Sequence, residues 1–246
     1  MASSSDSSSP TPMNTRSQTK RNLGPDAVAA ARKRHKEARA VAAGSITWNM
    51  QGAGTDVIKI DYLVQLMRVA EVDVICLQEC GNLFGWQGEL QTGWVVAMHE
   101  QWNAGGGNNR CSLAILTRTP PTRTHRIANL RLDHRPMIGA EYRGRWFWCV
   151  HGPRTQTYVR QALLTARHWS PGQEWCVLGD FNVNALHGGE TVDIGQPPAQ
   201  CLKSGRITHP GSGTELDYGY FFEFGFGAIR RDEVISDHYA VQFVHP

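Results

Sequence analysis

No stretch of this 246-residue sequence approaches the ~20 consecutive apolar residues of a membrane-spanning helix. The N-terminus, MASSSDSSSPTP, lacks the apolar segment of a secretory signal, so a soluble chain that stays inside the cell that makes it is expected. The six cysteines form no CxxC pair or other metal-ligand spacing. Cys76, Cys149 and Cys176 sit in apolar runs, where a reduced thiol behaves as a small hydrophobe; the even count leaves disulfides open without requiring them. His125 and His134 stand too far apart for one zinc-binding helix. A GxxxxGK[ST] loop is missing, which argues against nucleoside triphosphate chemistry, and so is the GxSxG turn of a serine nucleophile.

What is present suits one large domain with a full core: 41% hydrophobic residues and eight tryptophans. Charge is unevenly spread. Residues 1–44 carry eight Lys/Arg against Asp6, Asp26 and Glu37, a net of +5, whereas the remaining 17 basic and 19 acidic residues give −2. Within that body, eleven arginines fall between Arg110 and Arg167 against two acids, Asp133 and Glu141. Two readings stand: a patch for a polyanion such as nucleic acid or an inositol phosphate, or ordinary surface arginines scattered over several strands.

Residues 1–24, rich in Ser, Thr, Pro and Asn, are expected to be disordered. GPDAVAAARKRHKEARAVAAG follows with helical composition, and its run Arg32, Lys33, Arg34 and Lys36 reads as a nuclear-localisation signal or a solvated basic tail. The folded domain is expected from Ser45 to residue 246, opening with the strand SITWN. Apolar spacing at Ile60, Leu63, Val64, Met67 and Ala70 predicts a helix. DVICLQE, WVVAMHE and CSLAILTR read as strands, and MIGAEYRG and RWFWCVHG as a hairpin turning at Arg143-Gly144-Arg145. A helix over TQTYVRQALLTARHW, capped by Thr155 or Thr157, precedes the strands EWCVLGDFN, ELDYGYFF and YAVQFVHP. Two packed sheets with helices outside them fit this α/β pattern.

Several of these strands end in polar groups: Asn49, Gln78-Glu79, His151, and Asp180 with Asn182; Asp217 and Asp237-His238 flank two others. A lone GDFN reads best as a turn, since Asp and Asn are common there. Six such sites at the edges of layered sheets point instead to a convergent constellation. Carboxylates, amides and imidazoles suit phosphoester hydrolysis, where Mg²⁺ takes oxygen ligands and an imidazole oriented by a carboxylate moves protons.

The ordered set TWNMQG, LQE, RPMIG, VHG, GDFN, LDY and SDHYAV resembles the endonuclease/exonuclease/phosphatase superfamily, whose familiar member is pancreatic deoxyribonuclease I. Within it the chain is most similar to the catalytic B subunits of cytolethal distending toxins, across about residues 45–246. The resemblance implies a four-layer α/β sandwich of two packed mixed β-sheets flanked by helices, with the active site at one edge. It implies Glu79 as the main Mg²⁺ ligand, with Asn49 beside it and Asp237 as a further metal-side carboxylate; Mn²⁺ and Ca²⁺ are alternatives. Asp180 and Asn182 would orient the attacking water and the phosphate. His238, oriented by Asp217, would be general base or phosphate-binding imidazole, and His151 the general acid. Arg135 would clamp a phosphate oxygen. Glu100 of AMHE aligns loosely with the acid that partners the second histidine.

The function this implies is a Mg²⁺-dependent DNA endonuclease of the genotoxic kind, with DNA as partner. The superfamily also holds phosphoinositide phosphatases, but ELDYGYFF stands where their WCDR signature would be. The EWCVLGDFN lead-in and the arginine-rich middle also suit a mobile-element endonuclease. An inactive nucleic-acid-binding module is disfavoured, because every expected catalytic position holds a competent residue. The toxin subunits carry a signal peptide where this chain has a Ser-rich basic tail, which leaves carrier or binding subunits open.

Overall fold

Alternation of side chains along the strands sorts the apolar residues into three layers. The computed structural model describes residues 44–52, 56–83, 93–102, 110–128, 135–185, 191–195, 198–224 and 227–245. Arg32, Lys33, Arg34, Lys36, the helix expected around them and His134 lie outside the described residues. In chain order the elements are β1 (Gly44–Asn49), α1 (Val57–Met67), β2 (Val72–Gln78), β3 (Val95–Gln101), β4 (Ser112–Thr117), β5 (Arg123–Ile127) and β6 (Met137–Tyr142). There follow β7 (Arg145–His151), α2 (Gln156–Trp169), β8 (Glu174–Asp180), β9 (Thr191–Val192), β10 (Ala199–Leu202), β11 (Asp217–Phe222), β12 (Gly227–Arg230) and β13 (Val241–Val244).

The strands form two mixed sheets, ordered β12-β13-β1-β2-β4-β3 and β5-β6-β7-β8-β11-β10-β9. Each contains one parallel pair joined through a helix: β1-α1-β2 in the first and β7-α2-β8 in the second. A parallel pair needs such a crossover, and the helix packs on the outer face of its own sheet. Ile46, Trp48, Ile75 and Leu77 therefore meet Leu63, Leu66 and Met67 of α1. Trp148 and Val177 meet Tyr158, Val159, Ala162, Leu163 and Ala166 of α2. Between the sheets, Val74, Cys76, Leu113 and Ile115 face Phe147, Cys149, Cys176 and Leu178. Each fully buried Leu or Phe contributes ~1.5–3 kcal/mol, so the three layers dominate the energetics. The result is the expected α/β sandwich of two packed mixed sheets, in which each outer layer is a single helix among the described residues.

The cap of α1 is Asp56, whose carboxylate accepts from the backbone N–H groups of Ile58 and Lys59. Thr155 occupies the N-cap of α2 but makes no side-chain capping bond, and Thr157 lies inside the helix. The hairpin between β6 and β7 turns at Arg143 and Gly144, both with positive φ. All six cysteines are free thiols. No helix among the described residues is long and apolar enough to cross a membrane.

Candidate active site

The two parallel units aim the C-terminal ends of their strands at one edge of the sandwich, and the polar residues collect there. In β8 the inter-sheet face runs Cys176, Leu178, Asp180, so the third member of the alternation is the first to leave the apolar core. Phe147, Cys149 and His151 do the same in β7. Pairing places His151 opposite Asp180, and Asp180 opposite Asp217 at the start of antiparallel β11. One row thus crosses three strands of the second sheet. From the first sheet, Asn49 and Gln78 end β1 and β2 side by side. A buried layer beneath them links the sheets: Thr47 Oγ1 donates to Gln78 Oε1 (3.2 Å), and Gln78 Nε2 donates to Cys149 Sγ (3.2 Å).

Asp180 divides its oxygens between structure and site. Oδ1 accepts the backbone N–H of Asn182 (2.8 Å), closing a turn. Oδ2 accepts from Asn49 Nδ2 (3.0 Å) and Asn182 Nδ2 (3.2 Å), with His151 Nε2 at 3.7 Å and His238 Nε2 at 3.8 Å. GDFN is therefore both a turn and part of the constellation. Its glycine is set by close approach, since a Cβ on Gly179 would lie 2.1 Å from the carbonyl oxygen of Val150. Asn182 and Glu79 hold positive φ values of 53° and 51°, a region that non-glycine residues seldom adopt and that clusters at functional sites. These two sharp exits swing Glu79 and Asn182 off the strand ends beside the row.

His238 lies on the segment before β13, where Ser236 Oγ accepts its backbone N–H (2.9 Å). Its Nδ1–H donates to Asp217 Oδ2 at 2.6 Å, which fixes the ring and leaves Nε2 toward Asp180. Burial lowers its basicity, but the carboxylates of Asp217, Asp180 and Asp237 outweigh this and raise its pKa to about 9. His151 goes the other way: burial, with Arg135 and His238 nearby, lowers it to about 3. Asp180 is raised to about 7 by burial and by the charge of Asp217. Glu79 is raised by burial, against the pull of Arg110.

Among the described residues, Glu79 Oε2, Asp217 Oδ1 and Asp237 Oδ1 are site oxygens that are shielded from solvent and accept no hydrogen bond, with Arg110 Nε 3.6 Å from Glu79 Oε2; carboxylates of this kind fit a divalent ion. Asn49 is turned differently: its Oδ1 accepts from Gln51 N–H (2.9 Å), and its Nδ2 faces Asp180 and Glu79. It braces two carboxylates rather than presenting an oxygen. Arg135 donates through Nη1 to the carbonyls of His151 (3.2 Å) and Gly152 (2.9 Å), at the wall of a cavity of about 450 Å³. Glu100 is held by Arg126 through two 2.6 Å bonds and is not the partner of His151.

Eight of the eleven arginines in the block fall into two groups, and Arg110 of the second also lies 3.6 Å from Glu79. Arg118 and Arg143 pair with Asp73, Arg123 with Glu141, Arg126 with Glu100, and Arg145 with buried Glu174. Arg110, Arg135 and Arg154 line the cavity together with Glu79, His151 and Asn182. Sequence reasoning missed Arg154 and His209, which touch the site from a loop and a turn that carry no strand-end signal.

The profile of the family described as Endonuclease/Exonuclease/phosphatase matches residues 46–238. No curated protein sequence matches the chain. Among solved structures, the cytolethal distending toxin of Actinobacillus actinomycetemcomitans is 22% identical with a TM-score of 0.60, over 82% of this chain and 97% of that one. The Haemophilus ducreyi toxin is 20% identical with a TM-score of 0.59, over the same shares. D. rerio TDP2 complexed with single strand DNA product is 13% identical with a TM-score of 0.60, over 83% and 99%. At these identities the likeness is one of fold.

Proposed function

The chain belongs to the endonuclease/exonuclease/phosphatase family, and from that premise we propose that it is a Mg²⁺-dependent endonuclease that hydrolyses phosphodiester bonds of DNA. The observation that carries this reading is the buried row His151–Asp180–Asp217, joined by His238 and faced by Glu79 and Asn49 at one sheet edge. Glu79 and Asp237 would hold the cation. When bound, it would neutralise charge on the phosphate and on the departing oxygen.

The remaining roles follow from protonation. His238, kept cationic by Asp217, fits the phosphate-binding role better than that of base. Asp180, with its acidity weakened to about 7, can accept a proton from the attacking water through Oδ2. Asn182 and Asn49 hold that carboxylate in place. His151 is neutral while the site is empty of anion; a phosphate beside it would raise its basicity and let it deliver a proton to the departing oxygen. Arg110 and Arg154 add donors for phosphate oxygens at the cavity mouth.

The single-strand DNA product in a structure of the same fold supports nucleic acid as the partner. The reading is tested by assaying the purified protein, with Mg²⁺ and with EDTA, on plasmid DNA and on phosphatidylinositol trisphosphate vesicles. Mg²⁺-dependent strand scission without phosphate release from the lipid is expected; the converse would assign a phosphoinositide phosphatase. For the basic run Arg32 to Lys36 we propose a role in nuclear entry. A chain beginning at Gly44 should keep its turnover and lose nuclear accumulation, and equal accumulation of both chains would contradict this.

A further inference from the structure

One imidazole at the site has no place in the mechanism above. His209 lies in the turn between Thr208 and Thr214, with its ring 4.6 Å from that of His238 and its Nε2 3.9 Å from Asp237 Oδ2. Two chemistries compete for it. His209, Asp237 and His238 offer three ligand atoms within 4.8 Å of one another, a set that a borderline divalent cation could use. Alternatively, the ring donates a hydrogen bond to substrate.

The turn decides between them. The backbone N–H of Ser212 donates to His209 Nδ1 at 3.1 Å and has only a proton to offer, and Ser212 Oγ, 2.7 Å from the same nitrogen, is a hydroxyl that can donate to it as well. Nδ1 therefore carries the lone pair, and in the neutral ring the proton sits on Nε2. Ligating a metal through Nε2 would place a proton on Nδ1, directly against the amide N–H. The turn itself is pinned by Thr208 N–H and His209 N–H donating to the Thr214 carbonyl (both 3.0 Å) and by Gly213 N–H donating to the His209 carbonyl (3.1 Å). His209 is thus a donor of fixed tautomer. Its Nε2–H makes no hydrogen bond to a described residue, since 3.9 Å to Asp237 exceeds hydrogen-bond reach.

His209 walls a second cavity of about 250 Å³, together with Asn184, Thr214 and His238. Arg154 and Asn182 line both this cavity and the 450 Å³ one that holds Glu79 and His151. A phosphodiester lying against Asp180 and His238 would have one cavity for each of its ester arms. The smaller falls below the ~300–1,000 Å³ of drug-sized ligand pockets, and its wall is mainly apolar with Arg154, His209 and His238 as point donors, which suits one nucleotide unit.

We propose that this smaller cavity seats the nucleotide unit on the His238 side of the scissile phosphate, with His209 Nε2–H donating to an oxygen of that unit. His209 would then set a preference for a polynucleotide strand over an isolated phosphodiester. The proposal rests on the hydrolase reading above.

The test compares kcat/KM on a short DNA duplex with kcat/KM on bis(p-nitrophenyl) phosphate for the wild type, His209→Ala and His209→Gln. Losing a hydrogen bond to a charged acceptor is expected to lower the duplex-to-small-substrate ratio about tenfold to a hundredfold in His209→Ala, chiefly through KM. His209→Gln, which keeps an N–H donor, should restore most of the ratio. An unchanged ratio, equal loss on both substrates, or failure of the glutamine to restore it would each overturn the proposal. Should His209→Ala not fold, Asn184→Ala, which lines the smaller cavity but not the larger, must lower the same ratio, and no change there overturns the proposal too. A wild type inactive on both substrates would instead refute the hydrolase reading and this inference with it; activity without a shift in ratio refutes the inference alone.

Discussion

His245 lies far along the sandwich from the reaction site, among Phe147, Phe221 and Phe224, with Ser45 Oγ 3.0 Å from its Nε2. Burial, with Arg145 nearby, lowers its pKa from 6.5 to about 3. The folded protein therefore binds this proton more weakly than the unfolded chain does. The stability it contributes is complete above pH 6.5 and is lost progressively as pH falls from there toward 3. His245→Gln, which keeps a polar partner for Ser45 without titrating, should show a shallower fall in melting temperature between pH 7 and pH 4 than the wild type. Parallel curves would remove His245 from the acid response. Residue identity made the cluster at the sheet edge legible, because Glu79, His151, Asp180, Asp217 and His238 all close or flank recognisable strands. It could not give their charge states. The opposite shifts arise from the folded surroundings: burial, then Arg135, lowers His151, whereas at His238 burial is outweighed by the carboxylate of Asp217, distant in sequence.

The strands with continuous apolar runs, such as DVICLQ and EWCVLGD, were legible as elements because both of their faces are buried. β5, RTHRI, was not, because it is an edge strand with polar side chains and no alternation to detect. β9, β10 and β12 have two to four residues each, too few for a period. The left-handed exit at Glu79 was invisible for another reason: glutamate does not signal positive φ and the surrounding fold imposes it, whereas Asn182 is of a type enriched there. Close approach at Gly179 gives a test at this scale. Gly179→Ala would drive a Cβ against the backbone of β7, which cannot move aside as a flexible side chain could. A loss of about 1–3 kcal/mol or more in chemical denaturation is expected. Gly227→Ala, with nothing within 4 Å of the added carbon, should be close to neutral. Equal effects of the two substitutions would refute the packing argument.

For the molecule as a whole, the arginine count did not translate into one free basic face. Five of the eleven arginines in the block are held in ion pairs with Asp73, Glu141, Glu100 or Glu174, and three line the cavity at the site. A linear sequence gives the number of charges but not which of them share a face. For a chain beginning at Gly44, three phosphate contacts imply a log Kobs against log salt slope of about −3 on duplex DNA, and the full chain should be steeper by the contribution of its basic tail. A slope near −10 for the shorter chain would mean that the paired arginines also bind. The sandwich itself was legible through ordered motifs whose spacing reflects two parallel units feeding one edge. In the proposed function, Asp180 and His238 at this edge carry out the hydrolysis of DNA. This is tested most directly by nicking of supercoiled plasmid with Mg²⁺, comparing the wild type with folded His238→Ala and Asp180→Ala variants. A loss of ~10²–10⁴-fold in turnover in both variants is the predicted result, and near-normal nicking by either would contradict the account.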